Sequence, residues 1–215
     1  MNLLKSSRSR SPVSAALLCA VGVVAGCNVV APPQDDATRY YILSDSAPAA
    51  AQGGQSQGGA RVGLKAVRLE GYLRRREMVV RTAANEVDFK DYRRWAEPLD
   101  AAIGRIVQSR LLASPAVSQV WVEPFPVDQD RDYDVSIEIT RCEGAVSPSG
   151  NYVASLSASI EVSTSGPNGH VVARRSFSAP DEAWNGTDFD RLAALLSGDA
   201  AALGRDVLAG IPAKN

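Results

Sequence analysis

The sequence is poor in the residues that most often carry catalysis and metal binding. Its 215 residues include one histidine and three cysteines, a poor basis for a structural zinc site, which needs four such ligands. Lys and Arg number 23 against 24 Asp and Glu, for a net charge of −1, so the chain lacks the positive charge that drives nucleic-acid binding. We therefore expect neither a metal centre nor a nucleic-acid partner.

The chain also lacks a hydrophobic run long enough for a transmembrane helix. Its first ten residues carry three basic side chains, and the apolar run that follows, residues 13–25, is well short of the ~20 residues that span a bilayer. A basic start followed by a short apolar run is typical of a signal peptide.

The apolar run ends in Val24-Ala25-Gly26-Cys27, which resembles the bacterial lipobox. We therefore predict a lipoprotein signal peptide over residues 1–26 and lipid attachment at Cys27. The alternative is an ordinary secretory signal that is cut after Ala25 or Gly26.

Lipidation at Cys27 would determine where the protein resides. Two or more acyl chains hold a protein stably on a bilayer, whereas one chain binds reversibly. In many Gram-negative bacteria an Asp after the lipid-bearing Cys retains a lipoprotein in the inner membrane, and this chain has Asn28 there. We therefore predict anchoring in the outer membrane, on its periplasmic face, with the covalent lipid as the only non-protein group and no cofactor.

No motif in the sequence predicts an enzyme, since G-x-S-x-G and H-E-x-x-H are both absent. Cys142 lies in a strand-like run and is expected in the core. His170 follows an Asn-Gly turn and has no nucleophile or metal ligand at a known spacing. The acidic groups at 128–132 and 181–182 lie in polar loops that would keep both carboxylates of a glycosidase pair ionised. We predict no catalytic residues.

Composition shifts divide the mature chain. Residues 27–38 are polar with paired prolines and are interpreted as a tether, and a single domain follows over residues 39–212. Within it, residues 44–60 are Gly, Gln, Ser and Ala with nothing to bury, so we predict a flexible insert there.

Hydrophobic periodicity predicts an α+β fold, with a largely antiparallel or mixed sheet and two main helices packed on one of its faces. The pattern predicts one helix opened by Trp95–Pro98 and stopped at Ser114, and a second from an N-cap at Thr187 to Ile211. The predicted strands lie at 39–43, 61–69, 78–80, 86–89, 117–122, 133–140, 152–162 and 171–177.

One concentration of basic and aromatic residues stands out. It consists of Arg74, Arg75 and Arg76 beside Tyr72 and Leu73, with Arg93, Arg94 and Trp95 further along the chain. Such a group is either a solvated loop face or a contact for an acidic partner or for lipid phosphates. These five arginines are the candidate binding residues.

Several segments together resemble a known family. RYYIL, then VRLEGYLRRREMVVRTAANEVDF, then DYRRWAEPLD are similar to the ABC-type transport auxiliary lipoproteins of the paraquat-inducible protein C kind, which are associated with MCE-domain proteins. The resemblance runs from Arg39 to Ile211, and its most specific piece is RWAEPL, Arg94–Leu99.

The resemblance implies a non-catalytic subunit of an envelope lipid-transport system that supports membrane integrity. The implied partners are an MCE-domain protein that spans the periplasm and an integral membrane permease, and a homo-oligomer is left open. The resemblance supplies no catalytic positions. The alternatives are an independent periplasmic lipid- or solute-binding lipoprotein and, third, an envelope hydrolase.

Overall fold

The computed structural model of the chain describes residues 36–45 and 58–213. The predicted signal peptide, Cys27, most of the tether and residues 46–57 of the insert lie outside the described residues. From Thr38 onward the chain forms one unit, which confirms the predicted single α+β domain.

The strands are β1 (Arg39–Tyr41), β2 (Ala60–Leu64), β3 (Arg68–Leu69), β4 (Glu77–Ala83), β5 (Glu86–Trp95), β6 (Val117–Val122), β7 (Tyr133–Val146), β8 (Tyr152–Thr164), β9 (Val171–Ser178) and β10 (Glu182–Ala183). The α-helices are α1 (Leu99–Leu112) and α2 (Phe189–Gly210), and a short 3-10 helix (Gly71–Arg74) lies between β3 and β4.

The long antiparallel pair β7–β8 is the centre of one mixed sheet. On one side of β7, three strands run parallel to it: β2 along its beginning, the short β3 along its middle and β4 along its end. The sheet then continues from β4 through β5 to the edge strand β1, and from β2 to β6. On the other side, β8 pairs with β9, so β1 and β9 lie at opposite edges.

The two helices bury their apolar stripes against the sheet and each other, as predicted. In α1 the buried residues include Leu99, Ile103 and Leu111, and α2 buries Leu192, Leu196 and Leu203 among others. The helices approach closely at Gly204, where a Cβ would lie 2.8 Å from the Cβ of Arg110. These side chains form one core with the inner face of the sheet.

A β-bulge near Thr140 changes which side chains of β7 face the helices. Before it, Ile137 and Ile139 point into the core, and after it Cys142 does, because the pairing with β8 shifts between Ile139 and Arg141. The strand predicted over 133–140 has core-facing and outward-facing side chains in strict alternation. It ends at Thr140, and the bulge breaks the alternation at that residue. Cys142 is 2% exposed, so the prediction that it is a core residue is confirmed.

Both predicted helix starts were early by one to four residues. Trp95 ends β5 instead of opening α1, because it pairs with Tyr41 and its N–H donates to the carbonyl of Arg76 at 2.7 Å. Asp188, rather than Thr187, caps α2, since its carboxylate accepts the N–H of Arg191 at 3.0 Å.

The ends of the predicted insert contact the domain directly. The N–H of Ser44 donates to Ser197 Oγ of α2 at 3.0 Å, and Asp45 pairs with Arg110 of α1. At the other end, Ala60 is the first residue of β2.

Candidate functional site

The five candidate arginines do not share one surface, because three line one groove, Arg93 lines another and Arg94 lines neither. Arg74, Arg75 and Arg76 lie in a groove of about 380 Å³ between the 3-10 helix and the start of α1. We call this the arginine groove, and its lining is Val67, Arg68, Leu69, Arg74, Arg75, Arg76, Glu97, Pro98, Leu99 and Asp100. Arg93 lies instead in a larger groove beside β1.

The 3-10 helix positions the arginine groove. Leu73 is 3% exposed and fixes this helix to the core, so the residues that follow it are directed outward. Arg74 Nε donates to the carbonyl of Leu69 at 3.4 Å. Arg76 makes no side-chain hydrogen bond or ion pair with the described residues and is exposed, so its charge is available to a ligand.

Two of the five arginines are held by the same carboxylate. Arg75 Nε lies 3.3 Å from Glu77 Oε2, and Arg94 Nη2 lies 3.7 Å from Glu77 Oε1. The guanidinium of Arg75 also lies over the ring of Phe89, 4.5 Å from its centroid. The pKa of Glu77 is lowered by a hydrogen bond from its own backbone N–H and by these arginines. Arg75 and Arg94 are therefore partly neutralised.

The arginine groove contains one further cation that sequence reasoning missed. Arg68 lines it and lies 3.8 Å from Glu138, with both side chains largely exposed, a geometry that holds the charge only weakly. Its signal in the sequence was weak, because it is a lone arginine in an apolar run. The apolar floor is formed by Val67 just before β3, Leu69 of β3 and Leu99 of α1.

Acidic groups limit the positive charge of the arginine groove at the α1 end. Glu97 and Asp100 line this end, and Glu97 pairs with Arg105. The groove therefore combines a cationic wall, an apolar floor and an acidic end. This arrangement suits an acidic peptide segment that carries an apolar side chain.

The second groove, of about 890 Å³, lies between β1 and the beginning of α2. Arg39 and Arg93, which are register partners in the parallel pair β1–β5, supply its basic side, and Asp188 and Asp190 its acidic side. Arg93 lies over the ring of Phe189, with its Cζ 5.8 Å from the centroid. Arg39 was not among the candidate residues.

The segment RWAEPL, which carries the most specific resemblance, joins β5 to α1. Trp95 is 4% exposed, and the next N–H, of Ala96, donates to the carbonyl of Tyr41 at 2.8 Å. Pro98 then occupies the N-cap position of α1, and Leu99 is buried. The segment fixes the sheet, β1 and α1 together, so its role in the fold is structural, although it also lines the arginine groove.

A polar cluster lies on the sheet face opposite the helices. Arg81 Nε donates to Glu143 Oε1 at 2.6 Å, and Arg81 Nη2 donates to the hydroxyl of Tyr72 at 3.3 Å. Glu143 is 1% exposed, and its Oε2 has no hydrogen-bond partner within the described part of the chain. Burial and the nearby Glu143 carboxylate raise the pKa of Tyr72 to about 12.

A second buried carboxylate lies in α2. Asp199 is 4% exposed, and its Oδ2 has no partner among the residues that the structure describes. Burial, with a contribution from Glu182, raises the pKa of Asp199 to about 6. Burial likewise raises the pKa of the Cys142 thiol, so this cysteine is not a nucleophile at neutral pH.

Three of the other titratable residues singled out in the sequence make side-chain contacts within the domain. His170 is exposed, and Thr164 is its partner through both the ring Nδ1 and the backbone N–H. Of the acidic loop residues, Asp130 and Asp132 both pair with Arg61. Within residues 36–45 and 58–213 there is no group of three or more side chains arranged to hold a metal ion.

The family to which this domain belongs follows from its sequence. A family model described as the ABC-type transport auxiliary lipoprotein component matches residues 41–207, which is most of the chain. The chain belongs to this family. The resemblance stated from its motifs is thereby confirmed, and membership in the family indicates a lipoprotein that assists an ABC-type transport system. No curated protein is significantly similar to the chain.

Solved structures share the fold of this transport auxiliary lipoprotein. Protein XCC0632 from Xanthomonas campestris, a DUF330 protein, is 15% identical with a TM-score of 0.65, and the match covers 80% of this chain and 93% of that one. A second crystal structure, of an uncharacterized protein, is 17% identical with a TM-score of 0.61 and coverage of 81% and 99%. At these identities the likeness shows the fold alone. No helix in the described ranges is long and apolar enough to cross a membrane.

Proposed function

We propose that this transport auxiliary lipoprotein is a non-catalytic subunit anchored through Cys27 at the periplasmic face of the outer membrane. There it docks the periplasm-spanning MCE-domain partner of an ABC-type lipid transporter, whose permease lies in the inner membrane, and so supports membrane integrity. The observation that carries the proposal is the family match over residues 41–207, joined to a signal sequence that ends at a lipobox-like Cys27.

We assign docking to the arginine groove. Arg76, which has no side-chain partner in the described part of the chain, joins the weakly held Arg68 and the apolar floor there. Together they provide the mixture of charge and apolar area that a protein segment can fill. Charge complementarity at such a surface would orient the partner and select against wrong ones. The partner segment is expected to be acidic with at least one large apolar side chain.

The packing of the domain favours docking over an independent lipid carrier. A carrier must surround most of its ligand in an apolar cavity. Here the space between the helices and the sheet is filled by core side chains such as Ile106, Leu156 and Leu196, which are fully buried. Binding of a lipid by the purified domain with its acyl chains shielded from water would favour the alternative.

The docking assignment is tested by charge reversal in the arginine groove. The full-length lipoprotein in detergent is titrated with the MCE-domain protein of the same organism, and affinity is measured for the wild type and for Arg74→Glu/Arg76→Glu. We expect the variant to bind about tenfold or more weakly, since each reversal turns an attraction into a repulsion.

The matched control is Arg174→Glu/Arg205→Glu, which changes the net charge equally at two exposed positions on β9 and α2. This control should bind like the wild type. Equal binding by the groove variant and the wild type would contradict the docking assignment, and an equal loss in both variants would reduce it to a general charge effect.

A further inference from the structure

The β1–β5 edge of the sheet carries three large apolar and aromatic side chains that are exposed. Tyr40 is 58% exposed, Ile42 57% and Tyr92 59%. In the described residues β1 pairs only with β5, so it is an edge strand, and Tyr92 lies just before the part of β5 that pairs with it. Exposed apolar side chains grouped at one place mark an interaction surface more often than scattered ones.

Arginines lie on both faces of this edge. Arg94 is opposite Tyr40, so these two side chains share a face of the sheet. Arg39 and its register partner Arg93 project from the other face, toward the beginning of α2. The acidic groups in the same region are Asp91 on β5 and Asp188 and Asp190 at the beginning of α2.

The covalent sequence places this edge near the membrane anchor. β1 begins only twelve residues after Cys27. Twelve fully extended residues reach about 40 Å, so a lipid on Cys27 would hold β1 within that distance of the bilayer. Every later element can lie farther from the bilayer. Tyr is enriched at the level of lipid headgroups, and arginines there are attracted to lipid phosphates.

We infer that the β1–β5 edge, with Tyr40, Ile42, Tyr92 and Arg94, is the surface that this protein lays against the phosphate-bearing face of its own membrane. The inference rests on the proposed anchor at Cys27. Tyr40 and Tyr92 enter the headgroup layer, Ile42 adds apolar area, and Arg94, which shares the sheet face of Tyr40, contacts phosphate oxygens. The surface gives the tethered domain a defined orientation, with β9 at the opposite edge of the sheet turned away from the bilayer.

A fluorescent label at the edge tests this orientation. The full mature lipoprotein carrying Tyr92→Cys is labelled with an environment-sensitive dye. Labelling is selective because the Cys27 thiol is consumed by lipidation and Cys142 is buried. The protein is reconstituted into vesicles of phosphatidylethanolamine and phosphatidylglycerol that contain a lipid with a quencher on its headgroup. Val172→Cys on β9, also exposed, is the matched control.

We expect the label at position 92 to be quenched and its emission to shift to shorter wavelength, while the label at position 172 keeps the emission it has in water. Adding Tyr40→Ser/Ile42→Ser to the labelled chain should remove most of the quenching at position 92. These substitutions fall on exposed side chains, so folding should be preserved, and circular dichroism checks this.

Equal quenching at positions 92 and 172 in an acylated protein would overturn the inference, because the domain would then have no preferred orientation. Quenching at position 92 that survives Tyr40→Ser/Ile42→Ser would also overturn it. An intact-mass measurement that shows an unmodified Cys27 would instead overturn the proposed anchor. The membrane-facing role of the β1–β5 edge would then be overturned too, because it rests on that anchor. Blue-shifted emission that requires an added MCE-domain protein would assign the edge to a protein partner.

Discussion

At the scale of single residues, the least compensated groups are two buried carboxylates, Glu143 and Asp199. Each has an oxygen without a hydrogen-bond partner in the described chain. They differ in what surrounds them, since Glu143 has a guanidinium at 2.6 Å and Asp199 has no ion pair with a described residue. A paired buried carboxylate stays charged, whereas an unpaired one is stabilised by taking up a proton.

Removing the partner of Glu143 should be costly. We expect Arg81→Met to lower the free energy of unfolding by about 3 kcal/mol, because it leaves a buried carboxylate without its cation. Chemical denaturation at neutral pH measures this. The control is Arg81→Met/Glu143→Met, which removes both charges and should recover most of the loss. A single variant as stable as the wild type would show that the pair does not hold Glu143.

Asp199 predicts a pH dependence of stability. Its pKa is raised to about 6 in the folded protein from the ordinary value of 3.8, so between those pH values the folded state binds more protons than the unfolded state. Stability from this residue is therefore present below about pH 4 and is lost as pH rises through about 6, by roughly 3 kcal/mol at most.

The contribution of Asp199 is isolated by subtracting the stability of Asp199→Asn from that of the wild type at each pH between 4 and 7. We expect this difference to fall with rising pH and to level off above pH 6. A difference that stays flat across this range would mean that the folded pKa of Asp199 is ordinary.

At the scale of elements, the contact between α1 and α2 depends on a glycine. Gly204 of α2 faces Arg110 of α1, where a Cβ would lie 2.8 Å from the Arg110 Cβ. Gly198, in the same helix, has no atom within 4 Å of where its Cβ would be. Substitutions at Gly204 and Gly198 therefore test helix packing and helix propensity separately.

We expect Gly204→Ala to destabilise the protein by about 1–3 kcal/mol, because the two helices must move apart. Gly198→Ala should stabilise it by up to about 1 kcal/mol, the difference in helix propensity between Ala and Gly. Thermal and chemical denaturation of the two variants measure both effects. Similar changes in both variants would contradict the close approach of α1 and α2 at Gly204.

Most elements could be predicted from the sequence because their patterns are local. The strand Val117–Val122 and the two helical stripes follow from spacing that one segment carries by itself. The start of α1 could not be predicted in this way, because Trp95 belongs to β5 through contacts with Tyr41 and Arg76, which are distant or on another strand. The β7 bulge likewise depends on its pairing with β8.

At the scale of the whole molecule, the sequence predicts which basic residues are candidates but not how the fold distributes them between the grooves. Arg74, Arg75 and Arg76 are adjacent in the chain and stay together, whereas Arg93 is directed to another groove by the pairing of β1 with β5. Arg39 and Arg68 were missed because each is single in the sequence and joins a groove only through the fold. The edge formed by Tyr40, Ile42 and Tyr92 was hidden for the same reason.

Two opposed demands shape the molecule as a whole. The proposed lipid anchor would restrict one part of the domain to a surface, and the proposed partner would have to reach another part. The arginine groove and the β1–β5 edge are lined by different residues. The proposed binding at the groove is electrostatic in part, so it should weaken as salt is raised.

The central claim is that the arginine groove receives an MCE-domain protein, and photo-cross-linking in cells tests it most directly. A photoreactive amino acid replaces Asp100, which lines the groove, and Val172 on β9 serves as the control position. Mass spectrometry of the adducts should identify an MCE-domain protein linked at position 100 and absent at position 172. No such adduct at position 100, or the same adduct at both positions, would contradict the account.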